Sequence, residues 1–259
     1  MDGLAIFTDL DGTLLDHESY DAGPARPLLG RLSRAGIPVV IASSKTAAEI
    51  APLRRALGLA ASPAIFENGA GVLGPGAEPP EDTTARDRLL AALASLPTDL
   101  RAGFRGFAEM SVAEVAACTG LPSDAAARAR ARTHTEPGLW TGPEPRRRAF
   151  IDALASRGVA AQEGGRFLTL SMGGTKAGRM AGIAARLVAR VTVALGDAPN
   201  DVEMLETADH GIVVANPHHA PLPELAGERQ GRITRTAKPG PDGWAEGLEA
   251  LLSRLGYRI

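Results

Sequence analysis

The stretch Leu4-Ala5-Ile6-Phe7-Thr8-Asp9-Leu10-Asp11-Gly12-Thr13 decides the fold. Its first five residues form an apolar run without polar alternation, the pattern of a central parallel strand covered on both faces. Two aspartates two residues apart follow at the carboxyl end of that strand, where ligands bind in open α/β sheets. Gly12 and Thr13 then let the chain turn away.

Outward from this segment, strands and helices alternate. A helix is expected from about Pro24 to Ala35, a buried strand over Ile37 to Ala42, and a helix from about Thr46 to Leu57. A short strand, Ala64 to Phe66, precedes Glu67-Asn68-Gly69. Gly74 to Pro80 interrupts the alternation as a hinge or linker. Ser111-x-x-Glu114 reads as a capping box, Ser123-Asp124 as a second cap, Arg146 to Arg157 as a helix and Arg166 to Ser171 as a strand. Alternation returns with a helix from Lys176, a strand Val191 to Leu195, a helix Asp201 to Thr207 and a strand Gly211 to Val214. A last helix runs to about Leu255 with Asp242 at its N-cap. The pattern predicts an α/β fold, a Rossmann-like doubly wound parallel sheet core with an inserted α+β cap domain of about ninety residues. The expected division is residues 1–78 and 173–259 for the core, and 79–172 for the insert.

The 259 residues are 44 % hydrophobic, enough for a sizeable core, which excludes a disordered chain. With 28 basic and 30 acidic residues the net charge is −2, giving no electrostatic case for nucleic acid or an anionic membrane. The single cysteine, Cys118, excludes an internal disulfide. No apolar run approaches the ~20 residues of a membrane span, and no signal peptide is evident, so a soluble cytoplasmic protein is expected. Only three basic residues are lysines, Lys45, Lys176 and Lys238, and only Asn68, Asn200 and Asn216 are asparagines. In so Arg-rich a chain, a surviving Lys marks a position where a compact ammonium is needed.

Four strand ends or helix starts carry polar residues suited to one reaction. A carboxylate, Asp9, can attack phosphorus directly, and Asp11 can protonate the leaving alcohol and then deprotonate a water. Ser43 ends the second strand, where its hydroxyl and nearby N–H groups can hold a phosphoryl oxygen. Lys176, at a helix start, can offset charge on the phosphoryl group and on Asp9. The late strand ends in Gly196-Asp197-Ala198-Pro199-Asn200-Asp201, whose carboxylates add hard oxygen ligands. Asp9, Asp11, Asp197 and Asp201 are the candidate ligands for Mg²⁺. Singly, each piece has an ordinary reading: a turn, a helix cap or a solvated charge. Their order and placement make the joint case. His218-His219 reads as solvated loop, and Trp140 and Trp244 are too isolated to form a binding platform.

Asp9-Leu10-Asp11-Gly12-Thr13, Ser43, Lys176 and Gly196-Asp197 through Asp201 resemble the four motifs of the haloacid-dehalogenase (HAD) superfamily, and the inserted middle resembles its C2-type cap. The resemblance implies a Mg²⁺-dependent phosphatase or mutase working through an aspartyl-phosphate, with a cap that closes over the site. Ser43-Ser44-Lys45-Thr46, Glu67-Asn68-Gly69-Ala70, Arg132 with Glu136-Pro137, Gly164-Gly165-Arg166-Phe167 and the Asp197 segment further resemble the mannosyl-3-phosphoglycerate phosphatase family. That likeness implies a small phosphorylated sugar or glycerate substrate. Ser44, Lys45 and Asn200 join the binding residues, Arg166 grips a carboxylate, and Asn68, Arg132 and Glu136 bond sugar hydroxyls. The chain departs from the pattern at Thr133, His134 and Thr175. A sugar phosphomutase, a phosphatase for another sugar phosphate and a non-catalytic sugar-phosphate sensor are the alternatives. The sequence leaves monomer and dimer open.

Overall fold

The computed structural model describes residues 3–164 and 166–259; Gly165, part of one family-like segment, lies outside the described residues. The chain divides into two compact units. One comprises the residues up to Ser44, Ala51–Ala77 and Thr175–Ile259; the other comprises Lys45–Ile50 and Glu78–Gly174.

The elements up to the insertion are β1 (Leu4–Thr8), α1 (Arg26–Arg34), β2 (Val39–Ala42), α2 (Ala47–Ala56), β3 (Ala64–Phe66) and β4 (Gly71–Leu73). Then come α3 (Thr84–Ala94), α4 (Thr98–Arg101), β5 (Phe104–Gly106), α5 (Val112–Thr119), α6 (Ser123–Arg130), β6 (Thr135–Trp140), α7 (Glu144–Ala155), β7 (Ala160–Gly164) and β8 (Phe167–Ser171). The chain closes with α8 (Lys176–Arg186), β9 (Val191–Gly196), α9 (Val202–Thr207), β10 (His210–Ala215), α10 (Ala226–Arg229), β11 (Ile233–Pro239) and α11 (Gly240–Arg254).

The first unit holds a seven-stranded sheet ordered β11-β10-β9-β1-β2-β3-β4, parallel except for the β3–β4 pair. Every residue of β1 is buried, as its unbroken apolar run demands. The chain winds one way from β1 through β2 to β3, and the other way from β9 to β11. The reversal falls between β1 and β9, where such sheets open a binding crevice. Register makes the crevice specific. Thr8 pairs with Ile41 on β2 and with Leu195 on β9, so Asp9, Ser43 and Asp197 all leave the sheet at one level. Phe7, Val40, Ile65, Met180, Ile183, Met204 and Leu205 form the core on one face. Helix α8 enters it through Met180, Ile183 and Ala184, the spacing of one helix face.

The second unit carries an antiparallel sheet ordered β5-β6-β8-β7. Leu168 and Leu170 of β8 join Leu89, Leu93, Phe150 and Leu154 from α3 and α7, while Phe167 packs with Phe107, Val115 and Ala126. The two sets alternate along β8 as a pleated strand requires.

Local expectations met three corrections. Ser123 begins α6 instead of capping it: Pro122 holds the N-cap position and no side-chain cap bond forms. Helix α11 starts two residues before Asp242, after Pro239, so Asp242 lies in the first turn, where its charge suits the helix dipole. Strands β6 and β11 had no sequence signal. β6 reads Thr-Glu-Pro-Gly-Leu-Trp, rich in strand-disfavouring residues, and β11 carries Arg235, Lys238 and Pro239 as an edge strand does. The Ser111–Glu114 capping box forms, with both reciprocal bonds.

Candidate active site

Asp9 is the first residue beyond β1, and its N–H donates to the Leu195 carbonyl at 2.9 Å, which ties it to β9. The chain then tightens: Gly12 N–H donates to Leu15, while Thr13 and Leu15 both donate to Leu10. Gly12 has φ +77°, and a Cβ there would collide with the amide of Asn216. Glycine is thus required by backbone angle and by space. The strand has ended by this point, so Asp11 is not held on the Asp9 face by pleating. It is half-buried and pairs as an isolated bridge with Leu15.

Lys176 opens α8. Thr175 caps that helix by accepting the Gly178 N–H at 3.0 Å, so the departure from the family pattern at Thr175 still serves the helix start. Lys176 is 2 % exposed, and its Nζ donates to Asp9 Oδ1 and to Asp201 Oδ1, both at 2.7 Å. Asp201 is fully buried; its Oδ2 accepts the N–H groups of Asp197 and Ala198 at 3.1 Å each. A Cβ on Gly196 would overlap the Asp201 side chain, so Gly196 gives that carboxylate its room.

Asp197 is held by three donors. Thr13 Oγ1 donates to its Oδ1, and Asn216 Nδ2 and His219 Nε2 reach its Oδ2 at 2.8 and 3.0 Å. His219 Nδ1 lies 2.9 Å from the Ala220 carbonyl. The Asp197 carboxylate and the Ala220 carbonyl are both acceptors, an arrangement that favours the doubly protonated ring. Burial works against that charge, but the bonds to Asp197 and Ala220 outweigh it and raise the His219 pKa.

Asp9, Asp197 and Asp201 offer oxygens that all lie within 4.8 Å of one another, the cluster of potential metal ligands among the described residues. Asp11 is not in that cluster: beyond Thr8 the chain no longer follows the strand. Burial lifts the Asp9 carboxyl well above its ordinary range, Lys176 opposes this, and Asp201, Asp197 and Asp11 add to it. Burial also works against the Lys176 ammonium, but Asp201 and Asp9 more than restore it and raise its pKa. Two of these buried carboxylates share the Lys176 ammonium, and the third, Asp197, is paired with His219. The surplus of negative charge on hard oxygens fits a small divalent cation such as Mg²⁺.

Ser43 is buried at the end of β2; its N–H donates to Ile65 and its carbonyl accepts from Asn68. Asn68 sits at φ +57°, and its Oδ1 accepts from Asn200 Nδ2 at 3.2 Å. All three asparagines of the chain thus make side-chain bonds, Asn68 and Asn200 with each other and Asn216 with Asp197. Ser44 is exposed.

The remaining expected residues belong to the second unit. Lys45 is half-buried. Arg132 bonds Ala129 O and Thr135 Oγ1, and the adjacent Thr133 and His134 bond each other through Oγ1 and Nδ1. Arg166 is exposed and donates to the Cys118 carbonyl. Glu136 requires correction as a sugar-binding residue. It is 0 % exposed, with Oε2 taken by the Arg86 guanidinium at 2.7 and 3.0 Å and Oε1 by the Ala108 N–H. Its charge is spent on holding its own unit together.

Sequence reading missed Thr13, Asn216 and His219 around Asp197, and Trp244. The scarcity of asparagine was the one signal pointing to Asn216. Trp244 is fully buried and donates to Thr8 Oγ1, a structural role that no local motif announces.

Comparison with known proteins places this geometry. A family model described as haloacid dehalogenase-like hydrolase matches residues 6–89 and 176–222, just over half of the chain. Among solved structures, a HAD superfamily phosphatase, BT1666 from Bacteroides thetaiotaomicron, is similar with TM-score 0.69 and 18 % identity, over 99 % of this chain and 96 % of that one. The sucrose-phosphatase from Synechocystis sp. PCC6803 is similar with TM-score 0.65 and 16 % identity, over 96 % and 98 %. The HAD subclass IIB sugar phosphatase BT4131 gives 0.63 and 15 %, over 98 % and 99 %. None of the described helices is long and apolar enough to cross a membrane. With Asp9, Ser43, Lys176 and the Asp197–Asp201 loop at adjoining strand ends and helix starts, this chain belongs to the haloacid dehalogenase-like hydrolases.

Proposed function

We propose that the chain is a Mg²⁺-dependent phosphomonoester hydrolase acting on a phosphorylated sugar or glycerate, with mannosyl-3-phosphoglycerate or its glucosyl analogue as substrate. The observation that carries this reading is the Lys176 ammonium set 2.7 Å from both Asp9 and Asp201. Lys176 draws the Asp9 carboxylate into one orientation and carries a fixed positive charge into the place where phosphoryl charge develops. Asp9 attacks phosphorus in line as the ester P–O bond breaks, giving an aspartyl-phosphate. Asp11 gives its proton to the departing alkoxide oxygen, then takes one from the water that attacks the aspartyl-phosphate, releasing inorganic phosphate and regenerating Asp9. Ser43 and nearby backbone N–H groups hold a phosphoryl oxygen. When bound by Asp9, Asp197 and Asp201, Mg²⁺ supplies the positive charge that lets two anions approach.

The fold shared with a sucrose-phosphatase and a subclass IIB sugar phosphatase supports a sugar-phosphate substrate. The family-like segments support the glycosyl-phosphoglycerate assignment. Asn68, Asn200, Arg132 and Arg166 are the proposed recognition residues, with Ser44 and Lys45. Phosphate release should be measured across glycosyl-3-phosphoglycerates, plain hexose phosphates and sucrose phosphate. The highest kcat/KM on a glycosyl-phosphoglycerate is the expected result. Preference for a plain hexose phosphate contradicts the substrate, and turnover only with a bisphosphate activator would point to a phosphomutase.

A further inference from the structure

Arg179 lies one turn after Lys176 on α8, at the spacing that sets two side chains side by side on a helix. Its Nε donates to the Gly69 carbonyl at 2.7 Å and its Nη2 to the Ala70 carbonyl at 3.1 Å. Those carbonyls belong to a turn with an unusual backbone. Glu67 and Asn68 are both in the left-handed region, at φ +49° and +57°, and Gly69 follows at +99°. Two successive non-glycine residues hold that conformation only where their surroundings fix them. One such constraint is close backbone packing: a Cβ on Gly69 would overlap the Thr175 carbonyl and stand 2.7 Å from Lys176 N.

The contacts close into a circuit. Arg179 grips the turn, Asn68 in the turn accepts from Asn200, and Asn200 adjoins Asp201, whose Oδ1 accepts from Lys176 Nζ. Lys176 returns through one helical turn to Arg179. A planar guanidinium suits two successive carbonyls, which the point charge of a lysine cannot engage in the same way.

We propose that Arg179 is the positioning residue for Lys176. Its two-pronged hold on Gly69 and Ala70 fixes the first turn of α8, and with it the point where the ammonium stands between Asp9 and Asp201. The catalytic half of this inference rests on the charge-offsetting role proposed for Lys176; the positional half does not.

The chain has only three lysines, so protein labelled with ¹⁵N-lysine gives three side-chain ammonium signals, assigned through K45R and K238R. In Arg179→Met the Lys176 signal should shift and lose protection from exchange, while those of Lys45 and Lys238 stay in place. With p-nitrophenyl phosphate as the probe, kcat should fall at least about tenfold with KM within about twofold. Arg179→Gln keeps one donor and should show a smaller change of both kinds, and it replaces the Met variant if that chain does not fold. An unmoved Lys176 signal in a folded variant, or a loss carried by KM with kcat intact, overturns the proposal. If the unsubstituted protein hydrolyses no phosphate ester, the phosphatase reading fails and the ammonium signal alone decides this one.

Discussion

Trp244 donates its indole N–H to Thr8 Oγ1 across 2.9 Å, joining the final helix to the residue just before Asp9. Both side chains are fully buried, and the Thr8 hydroxyl donates in turn to the Asp9 carbonyl at 2.8 Å. The hydroxyl is therefore used as acceptor and donor in one chain of bonds, which stiffens the backbone that presents Asp9. Replacing Trp244 by Phe removes a buried donor and part of the packed ring. The expected cost is about 2 kcal/mol of unfolding free energy in urea titration. A change below about 0.5 kcal/mol would show the bond to be incidental.

Gly12 is the tightest test of the site's geometry. Alanine there meets φ +77° and a clash with Asn216, and its Cβ lies 3.1 Å from Asp197 Oδ2. The turn must shift, carrying Asp9 and Asp197 apart by a fraction of an ångström or more. Gly12→Ala should lower kcat/KM about a hundredfold, since small misplacements have that effect, and raise the Mg²⁺ concentration for half activity. Activity close to that of the unsubstituted protein would mean that the carboxylates tolerate a looser arrangement.

His219 makes a pH prediction whose sign is fixed. Its pKa is raised above the ordinary 6.5 by Asp197 and the Ala220 carbonyl, against the effect of burial. A group with a raised folded-state pKa contributes stability that is complete below the unfolded value and lost as pH climbs through the folded one. Without divalent metal, His219→Gln should therefore lower the urea midpoint at pH 6 and leave it nearly unchanged at pH 9. The effect should be small because a third of the side chain is exposed and screened. A gap that widens toward pH 9 contradicts a raised His219 pKa.

Glu136 separates a binding role from a structural one. Glu136→Ala leaves the Arg86 guanidinium, 14 % exposed, without its carboxylate. Removing one member of a buried pair costs about 3–5 kcal/mol, so a large drop in thermal midpoint is expected. KM of the molecules that remain folded should hardly move. A raised KM with unchanged stability would restore the sugar-binding role.

Much of the first unit was legible because its signals are local. The apolar runs of β1 and β9 end at polar residues, and glycines mark where the chain leaves the sheet. Asp9, Lys176, Asp197 and Asp201 could be named from order along the chain, since each follows a strand or opens a helix. Their mutual distances depend on register: Thr8 faces Leu195 and Ile41, a pairing no single segment encodes. Asn216 and His219 escaped for the same reason. Both lie in a polar loop after β10, and only the β9–β10 pairing brings that loop to Asp197. The surroundings of Asp11 were not legible, because it lies beyond the end of β1, where the alternation of a strand no longer says which way a side chain faces. Glu136 was named from family resemblance, and no local pattern announced its partner, Arg86, fifty positions earlier.

The whole proposed reaction turns on Asp9 as the nucleophile. Its most direct test is phosphate release by Asp9→Asn at saturating Mg²⁺, on whichever panel substrate the unsubstituted protein turns over best. Asparagine keeps the size of the side chain but cannot form an acyl phosphate. The rate should fall at least about a thousandfold while circular dichroism shows an intact fold. A variant that retains a tenth or more of the activity, with no deamidation found by mass spectrometry, would contradict Asp9 as the attacking group.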